Sequence, residues 1–509
     1  MNTVVEWLEA SAQRTPDALA VADVDTQLSF AQLQQRAQAA GSYIAAHAQP
    51  GQPIALYLEK STAALCGMLG AAYARCPYSV LDVRQPAARV QNILAALQPA
   101  LVLTDGAFAQ DAAAMVDAFN QAADHTNSAP LPLVGLDELF STPIDNDLLA
   151  QRRATACRDD TLYINFTSGS TGMPKGVMVA HGSVIDFISE FTRVFGFTAN
   201  DRIANQAPFD FDVSVKDIYG GLCVGAAVHL VPRDYFSVPV KLMDYLCERD
   251  VTVCTWAVSA LCFVSTMNGL EYRTPEHIRA VIFSGEVMPP KHLAIWRAAL
   301  PHAHFANVYG PTEVTCNCTY WIVPDNFEGD VLPIGRPFAH AQVFLLDEAD
   351  ALVETPGQQA QICVTGSGLA LGYVNDPERT TQAFTDNPLK PGQRMYRTGD
   401  LGYWNDQGQL VYAGRADHQI KHLGQRIELG EIEVAAQACD KVDRACCLYN
   451  EARKKLVLFY AGEASKQEVT QHLHERLPDY MVPGKVRQLD QMPLNKNGKI
   501  DRAALAELH

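Results

Sequence analysis

Hydrophobic positions in the first part of the chain alternate between helical and strand spacing. Residues 4–13 and 61–74 have helical spacing, whereas the apolar runs at 53–59 and 100–104 are short enough for buried strands. Such alternation of strands and helices predicts a parallel sheet layered with helices. Residues 110–146 are rich in Ala, Asp and Asn, and we expect a surface excursion there between core elements.

A short apolar run at residues 162–166 predicts a buried strand that leads directly into a loop of Gly, Ser and Thr, closed by Pro174 and Lys175. Glycine lets backbone N–H groups approach a ligand, hydroxyl groups add donors, and lysine adds a mobile positive charge, so the loop suits a polyphosphate. The loop residues concerned are Thr167, Ser168, Gly169, Ser170, Thr171, Gly172 and Lys175. The loop lacks Walker A spacing, but the preceding strand and the Pro-Lys-Gly exit argue against an ordinary surface turn.

The central part of the chain predicts a ligand cleft. Strands are expected at residues 227–232, 251–256, 280–283 and 305–308, and the last two run into polar turns at 284–286 and 309–313. Ligands gather beyond the carboxyl ends of strands in an open α/β sheet, so we expect these turns and the polar segment 209–216 to share one cleft.

The pattern changes after the cleft segments. Short strands at residues 342–346 and 361–364 predict a small β subdomain. A polar, Gly-containing link then precedes a compact α+β pattern. We therefore predict an N-terminal domain of residues 1–416 and a C-terminal domain of residues 417–509.

Composition narrows the class of protein. A chain of 509 residues is too long for one core, and 48% hydrophobic with 19% charged residues is ordinary for a globular enzyme. The formal net charge of −17 argues against a nucleic-acid partner. No apolar run could span a bilayer, and the N-terminus is acidic where a secretion signal is basic, so we expect a cytoplasmic protein without a membrane partner.

Cysteines and basic residues add two smaller expectations. The 13 cysteines include no Cys-x-x-Cys pair and no zinc-ligand spacing, which predicts reduced thiols. Residues 418–509 carry 14 Lys and Arg against 13 Asp and Glu, so only this part readily offers a surface to an acidic partner. The candidate residues are Arg453, Lys454, Lys455, Lys485 and Arg487.

Six motifs occur in a fixed order along the chain. They are the loop at 167–176, Phe-Asp-Val-Ser at 211–214, Tyr-Gly-Pro-Thr-Glu at 309–313, Tyr-Arg-Thr-Gly-Asp at 396–400, the segment 414–433 that begins Gly-Arg-Ala-Asp, and Asn-Gly-Lys-Ile-Asp-Arg at 497–502. In this order they resemble the adenylate-forming superfamily, and within it amino-acid adenylation domains of nonribosomal peptide synthesis and D-alanine–carrier-protein ligases. The resemblance implies an α/β fold, with a large N-terminal domain of layered α/β sheets and a small β subdomain, and a small mobile α+β C-terminal domain.

The resemblance also implies a site for ATP and Mg²⁺. Lys499 would contact the substrate carboxylate and the α-phosphate, offsetting the charge that develops between them. Asp400 would accept both ribose hydroxyls with Arg415 nearby, and Tyr309 would stack beneath adenine. Glu313 would bind Mg²⁺, and Asp417 would be a hinge that withdraws Lys499 between two half-reactions. Catalytic roles thus fall to Lys499, Thr167, Lys175 and Glu313, and Gly310 and Thr312 complete the nucleotide turn.

Asp212 is the most informative residue for the acid. Relatives with a carboxylate at this position pair it with a substrate ammonium, and an unpaired buried carboxylate would be costly. The aligned motifs place the following residues around the side-chain pocket: Val213, Lys216, Thr255, Ile282, Ser284, Val308, Cys316 and Asn317. Lys216 either faces the substrate or pairs with Asp210 or Asp217.

The substrate is expected to be a small or polar amino acid. An ortho-aminoaryl acid, anthranilate or a hydroxyanthranilate, is the alternative, with Asp210 as a second possible anchor for the amine. No Gly-Gly-x-Ser carrier motif follows Lys499 and no condensation motif occurs, so we expect a freestanding ligase that loads the phosphopantetheine arm of a separate carrier protein.

Two other functions are weaker alternatives. An acyl-CoA or aryl-CoA ligase would not need Asp212. A non-catalytic nucleotide-binding regulator would not need the charged set that this chain retains, namely Lys175, Glu313, Asp400, Arg415 and Lys499.

Overall fold

The computed structural model describes residues 1–122, 130–169, 173–415, 419–422, 424–450, 453–494 and 500–508. Internal contacts divide the chain into two units. Unit 1 comprises Met1–Asp82, Gln98–Asn165 and Val177–Ala416, and unit 2 comprises Val83–Leu97, Phe166–Gly176 and Asp417–His509. The Gly/Ser/Thr loop is thus grouped with unit 2. The domain boundary predicted at Asp417 stays a prediction, because that residue lies outside the described ranges.

The elements up to the loop are α1 (Val5–Arg14), β1 (Leu19–Ala22), β2 (Gln27–Ser29), α2 (Phe30–His47), β3 (Ile54–Tyr57), α3 (Thr62–Tyr73), β4 (Tyr78–Leu81), α4 (Ala87–Leu97), β5 (Leu101–Thr104), α5 (Ala109–Ala122), β6 (Leu133–Gly135), α6 (Leu136–Ser141), α7 (Asn146–Ala154) and β7 (Thr161–Thr167). After the loop come β8 (Lys175–Ala180), α8 (His181–Val194), β9 (Arg202–Asn205), α9 (Ser214–Val224), β10 (Ala227–Leu230), α10 (Pro239–Glu248), β11 (Val253–Ala257), α11 (Val258–Thr266), α12 (Gly269–Tyr272), β12 (Ala280–Ser284), α13 (Pro290–Ala299), β13 (His304–Tyr309), β14 (Thr319–Ile322) and β15 (Arg336–Pro337).

The small β subdomain and the elements that follow it are β16 (Ala341–Leu346), β17 (Ala360–Gly366), β18 (Gly372–Tyr373), α14 (Pro377–Ala383), β19 (Phe384–Asp386), β20 (Arg394–Trp404), β21 (Leu410–Arg415), β22 (Gln419–His422), β23 (Gln425–Glu428), α15 (Leu429–Gln437), β24 (Val442–Asn450), β25 (Lys455–Gly462), α16 (Lys466–His474), β26 (Lys485–Leu489) and α17 (Arg502–Ala506). No helix within the described ranges combines the length and the apolar character that crossing a membrane requires.

Two large sheets organise the first part of the chain. Counting described residues, one sheet has nine strands in the order β15-β14-β13-β12-β11-β9-β10-β1-β2, with parallel pairing from β13 through β1. The other has seven strands in the order β18-β8-β7-β4-β3-β5-β6. A third sheet, β16-β17-β20-β19 with β21 beside β20, is the predicted small β subdomain. The predicted α/β fold class is confirmed.

The strands at the centre of the nine-stranded sheet are buried on both faces. In β12, Val281 and Phe283 belong to one apolar cluster, whereas Ala280 and Ile282 belong to another. Because successive side chains of a strand point to opposite faces, continuous apolar runs are typical of such doubly covered strands. Lys216 of α9 is hydrogen-bonded to Ser284, which lies on the same face of β12 as Ile282, so α9 packs against this face of the sheet.

One expectation from composition is wrong. The stretch 110–146 is not a surface excursion between core elements, because it contains most of α5 and all of β6 and α6, and β6 joins the seven-stranded sheet by pairing in parallel with β5. Alanine is the residue with the highest helix propensity, and this preference outweighs the loop tendency of the Asp and Asn residues between the alanines. Residues 123–129 lie outside the described ranges.

The last segment of unit 2 has a core of its own. The strands β24 and β25 pair antiparallel, and β26 joins β25 in parallel. Side chains from α15, β25 and α16, including Ile432, Leu458 and Val469, form one apolar cluster. A capping box at Ser465 and Glu468 begins α16.

Candidate active site

A buried carboxylate is held from two sides at the end of the small β subdomain. Asp400 of β20 and Arg415 of β21 are Cα partners in the antiparallel ladder, and Arg415 Nη1 donates to Asp400 Oδ1 at 2.7 Å. Tyr309 Oη donates to Asp400 Oδ2. Burial, and next the Asp400 carboxylate, raise the pKa of Tyr309 well above its ordinary value, so this hydroxyl stays a donor. The structure thus brings together three residues predicted for the nucleotide.

Glu313 is a second buried carboxylate in the same unit. Its side chain is 0% exposed, and Tyr373 Oη donates to Glu313 Oε1 at 2.9 Å. Within the described ranges, no cluster of three or more His, Cys, Asp and Glu side chains could hold a metal ion. Mg²⁺ is commonly bound by one or two carboxylates together with substrate phosphates and water. Glu313 therefore fits a Mg²⁺ ion that arrives with ATP, and does not fit a metal held by protein alone.

The described part of the loop already binds an anionic oxygen within unit 2. Gly169 N donates to Glu431 Oε2 at 3.3 Å, and Ser168 Oγ donates to the carbonyl oxygen of Arg426 at 2.8 Å. The hydroxyl oxygen of Thr167 is buried without a hydrogen-bond partner among described residues. The predicted loop residues Ser170, Thr171 and Gly172 lie outside the described ranges, as do Asp417 and Lys499. An amide that accommodates a carboxylate is suited to a phosphate oxygen as well.

Glu431, whose carboxylate accepts a hydrogen bond from this loop, is itself part of a buried ion pair. Arg89 of α4 donates to Glu431 Oε1, and the two side chains are only 4% and 1% exposed. Burial raises the pKa of Glu431, and the guanidinium of Arg89 opposes that increase. No sequence motif links the two residues, since they are 342 positions apart. Sequence reasoning therefore missed this pair.

The predicted acid pocket is built on the face of the nine-stranded sheet that α9 shares. The ladder between β11 and β12 pairs Thr255 with Ile282, and Ser284 lies two residues further along β12 on the same face. Lys216 of α9 is 0% exposed, and its ammonium group donates to Ser284 Oγ at 3.1 Å. Ala306 of β13 is the Cα partner of Ile282, and Val308, two residues further along β13, lies on the same face. Lys216, Ile282, Ser284 and Val308 are thus brought together.

Thr255 is hydrogen-bonded to Asp217, the residue that follows Lys216 in α9. Its hydroxyl donates to Asp217 Oδ1, while Asn205 Nδ2 donates to Asp217 Oδ2 at 2.9 Å. Burial raises the pKa of Asp217 to about 7, although both hydrogen bonds and the ammonium of Lys216 oppose the shift. Lys60 completes this polar group by donating to the carbonyl oxygen of Asn205 at 3.1 Å. Sequence reasoning missed Asn205 and Lys60, which have no motif of their own.

Asp212 and Val213 lie in the turn that leads into α9. The amide of Val215 donates to the carbonyl oxygen of Asp212 at 3.1 Å, and both Asp212 and Val213 are half-buried. The N-terminal end of a helix carries partial positive charge, which favours a carboxylate at this position. Asp212 therefore lies just before the N-terminal end of the helix that also carries Lys216, where a negative charge is stabilised.

The nucleotide turn packs directly against the remaining pocket residues. A Cβ atom on Gly310 would lie 2.6 Å from the Cα of Asn317, so only glycine permits this approach. Thr315 and Cys316 have φ angles of 59° and 71°, a strained conformation for residues other than glycine. Cys316 and Asn317 are 3% and 2% exposed. Two strained residues thus lie where the predicted nucleotide and acid residues meet.

Two family profiles match the chain. The profile described as AMP-binding enzyme matches residues 8–374, and the profile described as AMP-binding enzyme C-terminal domain matches residues 431–499. The chain therefore belongs to the AMP-binding enzyme family, within the adenylate-forming superfamily. The resemblance to adenylation domains of nonribosomal peptide synthesis is confirmed by the relatives that follow.

Two curated relatives and one solved structure illustrate the similarity. The chain is 32% identical over 516 residues to tyrocidine synthase 1 of Brevibacillus parabrevis, covering 99% of this chain and 45% of that protein. It is 33% identical over 515 residues to gramicidin S synthase 2 of Brevibacillus brevis, covering 99% and 11%. The fold matches holo-PA1221, described as an NRPS protein containing adenylation and PCP domains, with a TM-score of 0.80 and 27% identity over 100% of this chain and 84% of that chain. This chain spans less than half the length of these two curated relatives.

Proposed function

We propose that this chain activates an amine-bearing carboxylic acid with ATP and then loads it as a thioester onto a carrier protein. One observation carries the proposal. Val308, in the predicted acid pocket, and Tyr309, which binds the buried Asp400 carboxylate, are consecutive residues of β13. Both residues stand at the carboxyl end of β13, where ligands of open α/β sheets gather, so a nucleotide held through Asp400 and an acid held beside Val308 would be neighbours, which is the geometry that adenylation requires.

In the first half-reaction a carboxylate oxygen of the acid attacks the α-phosphorus of ATP. A new P–O bond forms, the bond between the α-phosphorus and the bridging oxygen breaks, and pyrophosphate leaves with that oxygen. Asp400 accepts hydrogen bonds from the ribose hydroxyl groups, while Thr167 and Lys175 bind the departing phosphates. Glu313 would hold Mg²⁺, which would supply positive charge to the phosphates, and Lys499 offsets charge at the reacting oxygens.

In the second half-reaction the thiol of a phosphopantetheine arm attacks the acyl carbonyl and AMP leaves. Asp417 is proposed as the hinge between the two half-reactions. Carrier proteins of this kind are acidic, and exposed lysines on adjacent strands offer a complementary surface: Lys455 begins β25 and Lys485 begins β26. We propose a discrete carrier as the thiol donor.

The acid is proposed to be an amino acid with a polar side chain. Asp212 binds the ammonium group, and Lys216 supplies donors to the other end of the pocket. An ammonium group has three N–H donors, and among the described residues Ser284 Oγ is the one hydrogen-bond acceptor of Lys216. An acceptor on the substrate side chain would satisfy the remaining donors. The apolar side chains of Ile282 and Val308 keep an ortho-aminoaryl acid as the second candidate.

A pyrophosphate-exchange screen tests this proposal. The panel contains the twenty amino acids, their D-forms and the aminobenzoates, each with ATP and labelled pyrophosphate. We expect exchange with one amine-bearing acid and its close analogues, and none with their deamino counterparts. Absence of exchange with every acid would refute the proposal. A loading assay with the accepted acid then compares coenzyme A with holo carrier protein, and preferential loading of coenzyme A would identify an acyl-CoA ligase instead.

A further inference from the structure

Tyr163, in the strand before the loop, has a buried hydroxyl group that no other described residue satisfies. The side chain is 0% exposed, and Oη has no hydrogen-bond partner among described residues. Leaving a buried hydroxyl without a partner is unfavourable, and most buried polar side-chain atoms in proteins are paired. The orphaned hydroxyl of Tyr163 therefore requires an explanation.

The hydroxyl groups of two other tyrosines, Tyr78 and Tyr219, do not provide a partner. The rings of Tyr78 and Tyr163 lie 5.9 Å apart between centroids, but Tyr78 Oη is hydrogen-bonded to Tyr219 Oη at 2.9 Å. Tyr78 and Tyr219 thus satisfy one another. Tyr163 also has a phenolic hydroxyl group, but it takes no part in the hydrogen bond between Tyr78 and Tyr219.

Tyr163 lies close to α9, the helix that carries Lys216 of the acid pocket. Its ring is beside that of Tyr78, which is hydrogen-bonded to Tyr219, and Tyr219 follows Lys216 by about one turn of α9. Burial raises the pKa of Tyr163 well above its ordinary value, and the carboxylate of Asp212 raises it further. The hydroxyl is therefore protonated at neutral pH and lies within the electrostatic reach of Asp212.

We propose that Tyr163 is a further specificity residue of the acid pocket, and that its hydroxyl oxygen accepts a hydrogen bond from the substrate ammonium beside Asp212. This inference rests on the proposed function and deepens it. A primary ammonium group has three N–H donors, and one carboxylate leaves at least one of them unpaired. A neutral phenol supplies the missing acceptor without adding a second negative charge. Lys216, which bonds Ser284, serves the other end of the substrate.

Tyr163→Phe tests the inference because it removes only the hydroxyl. In pyrophosphate exchange we expect the KM for the amine-bearing acid to rise about tenfold, the scale of one hydrogen bond to a charged group, with an unchanged KM for ATP. The melting temperature of the ligand-free variant should equal or exceed that of the wild type, since an unpaired buried group is lost. The stabilisation of the protein by the acid should shrink in a thermal-shift titration.

Tyr78→Phe is the matched control. It removes a hydroxyl that has a partner, so we expect a lower melting temperature and an unchanged KM for the acid. In a double variant, Tyr163→Phe and Asp212→Asn should raise the KM by less than the product of their separate effects, because both residues bind the same ammonium.

The outcomes separate this inference from the proposed function. If the wild type exchanges pyrophosphate with an amine-bearing acid and Tyr163→Phe has the same KM, Tyr163 has no role in specificity and only the inference fails. A lower melting temperature for ligand-free Tyr163→Phe would show an internal partner and would also overturn it. If the wild type exchanges with no amine-bearing acid, the proposed function and the inference fail together.

Discussion

Lys216 donates a hydrogen bond to Ser284 Oγ at 3.1 Å in the interior of unit 1, and the lysine side chain is 0% exposed. A buried ammonium with one neutral acceptor is costly, because it gives up the hydration of a full charge. The adjacent Asp217 carboxylate offsets part of that cost electrostatically, while its own hydrogen bonds come from Asn205 and Thr255. A substrate acceptor would offset more of it, so this contact bears directly on which acid is chosen.

We expect Lys216→Met to change the acid that is preferred without changing the KM for ATP. Methionine fills a similar volume but offers no donor, so acids with a side-chain acceptor should lose about tenfold or more in kcat/KM, and apolar acids should gain. The pyrophosphate-exchange panel measures both effects. Ser284→Ala is the control, because it removes the neutral partner and leaves the charge. An equal loss for all acids would show that Lys216 does not face the substrate.

Asp400→Asn should weaken ATP binding while the protein remains folded. The amide keeps the shape of the carboxylate but loses its charge and one acceptor oxygen, so we expect the KM for ATP to rise about tenfold or more. Titration calorimetry with ATP checks the change directly. Tyr309→Phe, which removes one donor to Asp400, should have a smaller effect. Unchanged ATP affinity in Asp400→Asn would remove this residue from the nucleotide site.

The ionisation of Asp217 should make folding stability depend on pH. Burial raises its pKa from 3.8 to about 7, so the folded protein holds this proton more tightly than the unfolded chain does. The contribution of Asp217 to the free energy of unfolding is therefore greatest below pH 4, falls between pH 4 and 7, and is constant above that range. A shift of this size corresponds to about 4 kcal/mol in total.

Asp217→Asn isolates this effect, because asparagine carries no titrating proton. Urea denaturation of both proteins between pH 4 and 7 should show that the wild type loses stability relative to the variant as the pH rises. Parallel pH profiles of the wild type and Asp217→Asn would contradict the raised pKa of Asp217.

Lys60 titrates at higher pH. Burial lowers its pKa from 10.5 to about 7, so its contribution to the free energy of unfolding rises between pH 7 and 10.5.

Breaking the buried pair between Arg89 and Glu431 from one side should be strongly destabilising. Arg89→Met leaves a buried carboxylate without its cation, and we expect a loss of about 3–5 kcal/mol in the free energy of unfolding. Adding Glu431→Leu to this variant should recover much of the loss, because an apolar pair of similar volume often replaces a buried ion pair. Urea unfolding of the two single variants and the double variant measures the coupling, and strictly additive losses would argue against it.

Lys499→Ala should separate the two half-reactions. We expect adenylation to fall by orders of magnitude, because the cation at the reacting oxygens is lost, while transfer from preformed acyl-adenylate is affected much less. Pyrophosphate exchange measures the first step, and carrier loading from synthetic adenylate measures the second. An equal loss in both steps would mean that Lys499 serves both half-reactions.

The amino-acid sequence by itself determined the local elements and the kinds of chemistry. Apolar runs placed β5, β12 and β13 within a few residues of their observed bounds, since a strand buried on both faces must be continuously apolar. The Gly/Ser/Thr loop and the polar turn after β13 were recognisable because such turns need particular residues at particular positions. Composition was misleading at residues 110–146, where Ala-rich sequence forms helix rather than an excursion.

Only the tertiary structure decided which buried polar groups meet. The bond from Lys216 to Ser284 depends on how α9 sits against β12, and the pairing of Asp400 with Arg415 depends on the register of β20 and β21. A sequence pattern records that a position is buried but not which distant group it meets there. Tyr163 shows the same limit: its apolar context predicts a core residue, and only the packed structure reveals a buried hydroxyl that has no partner among the described residues.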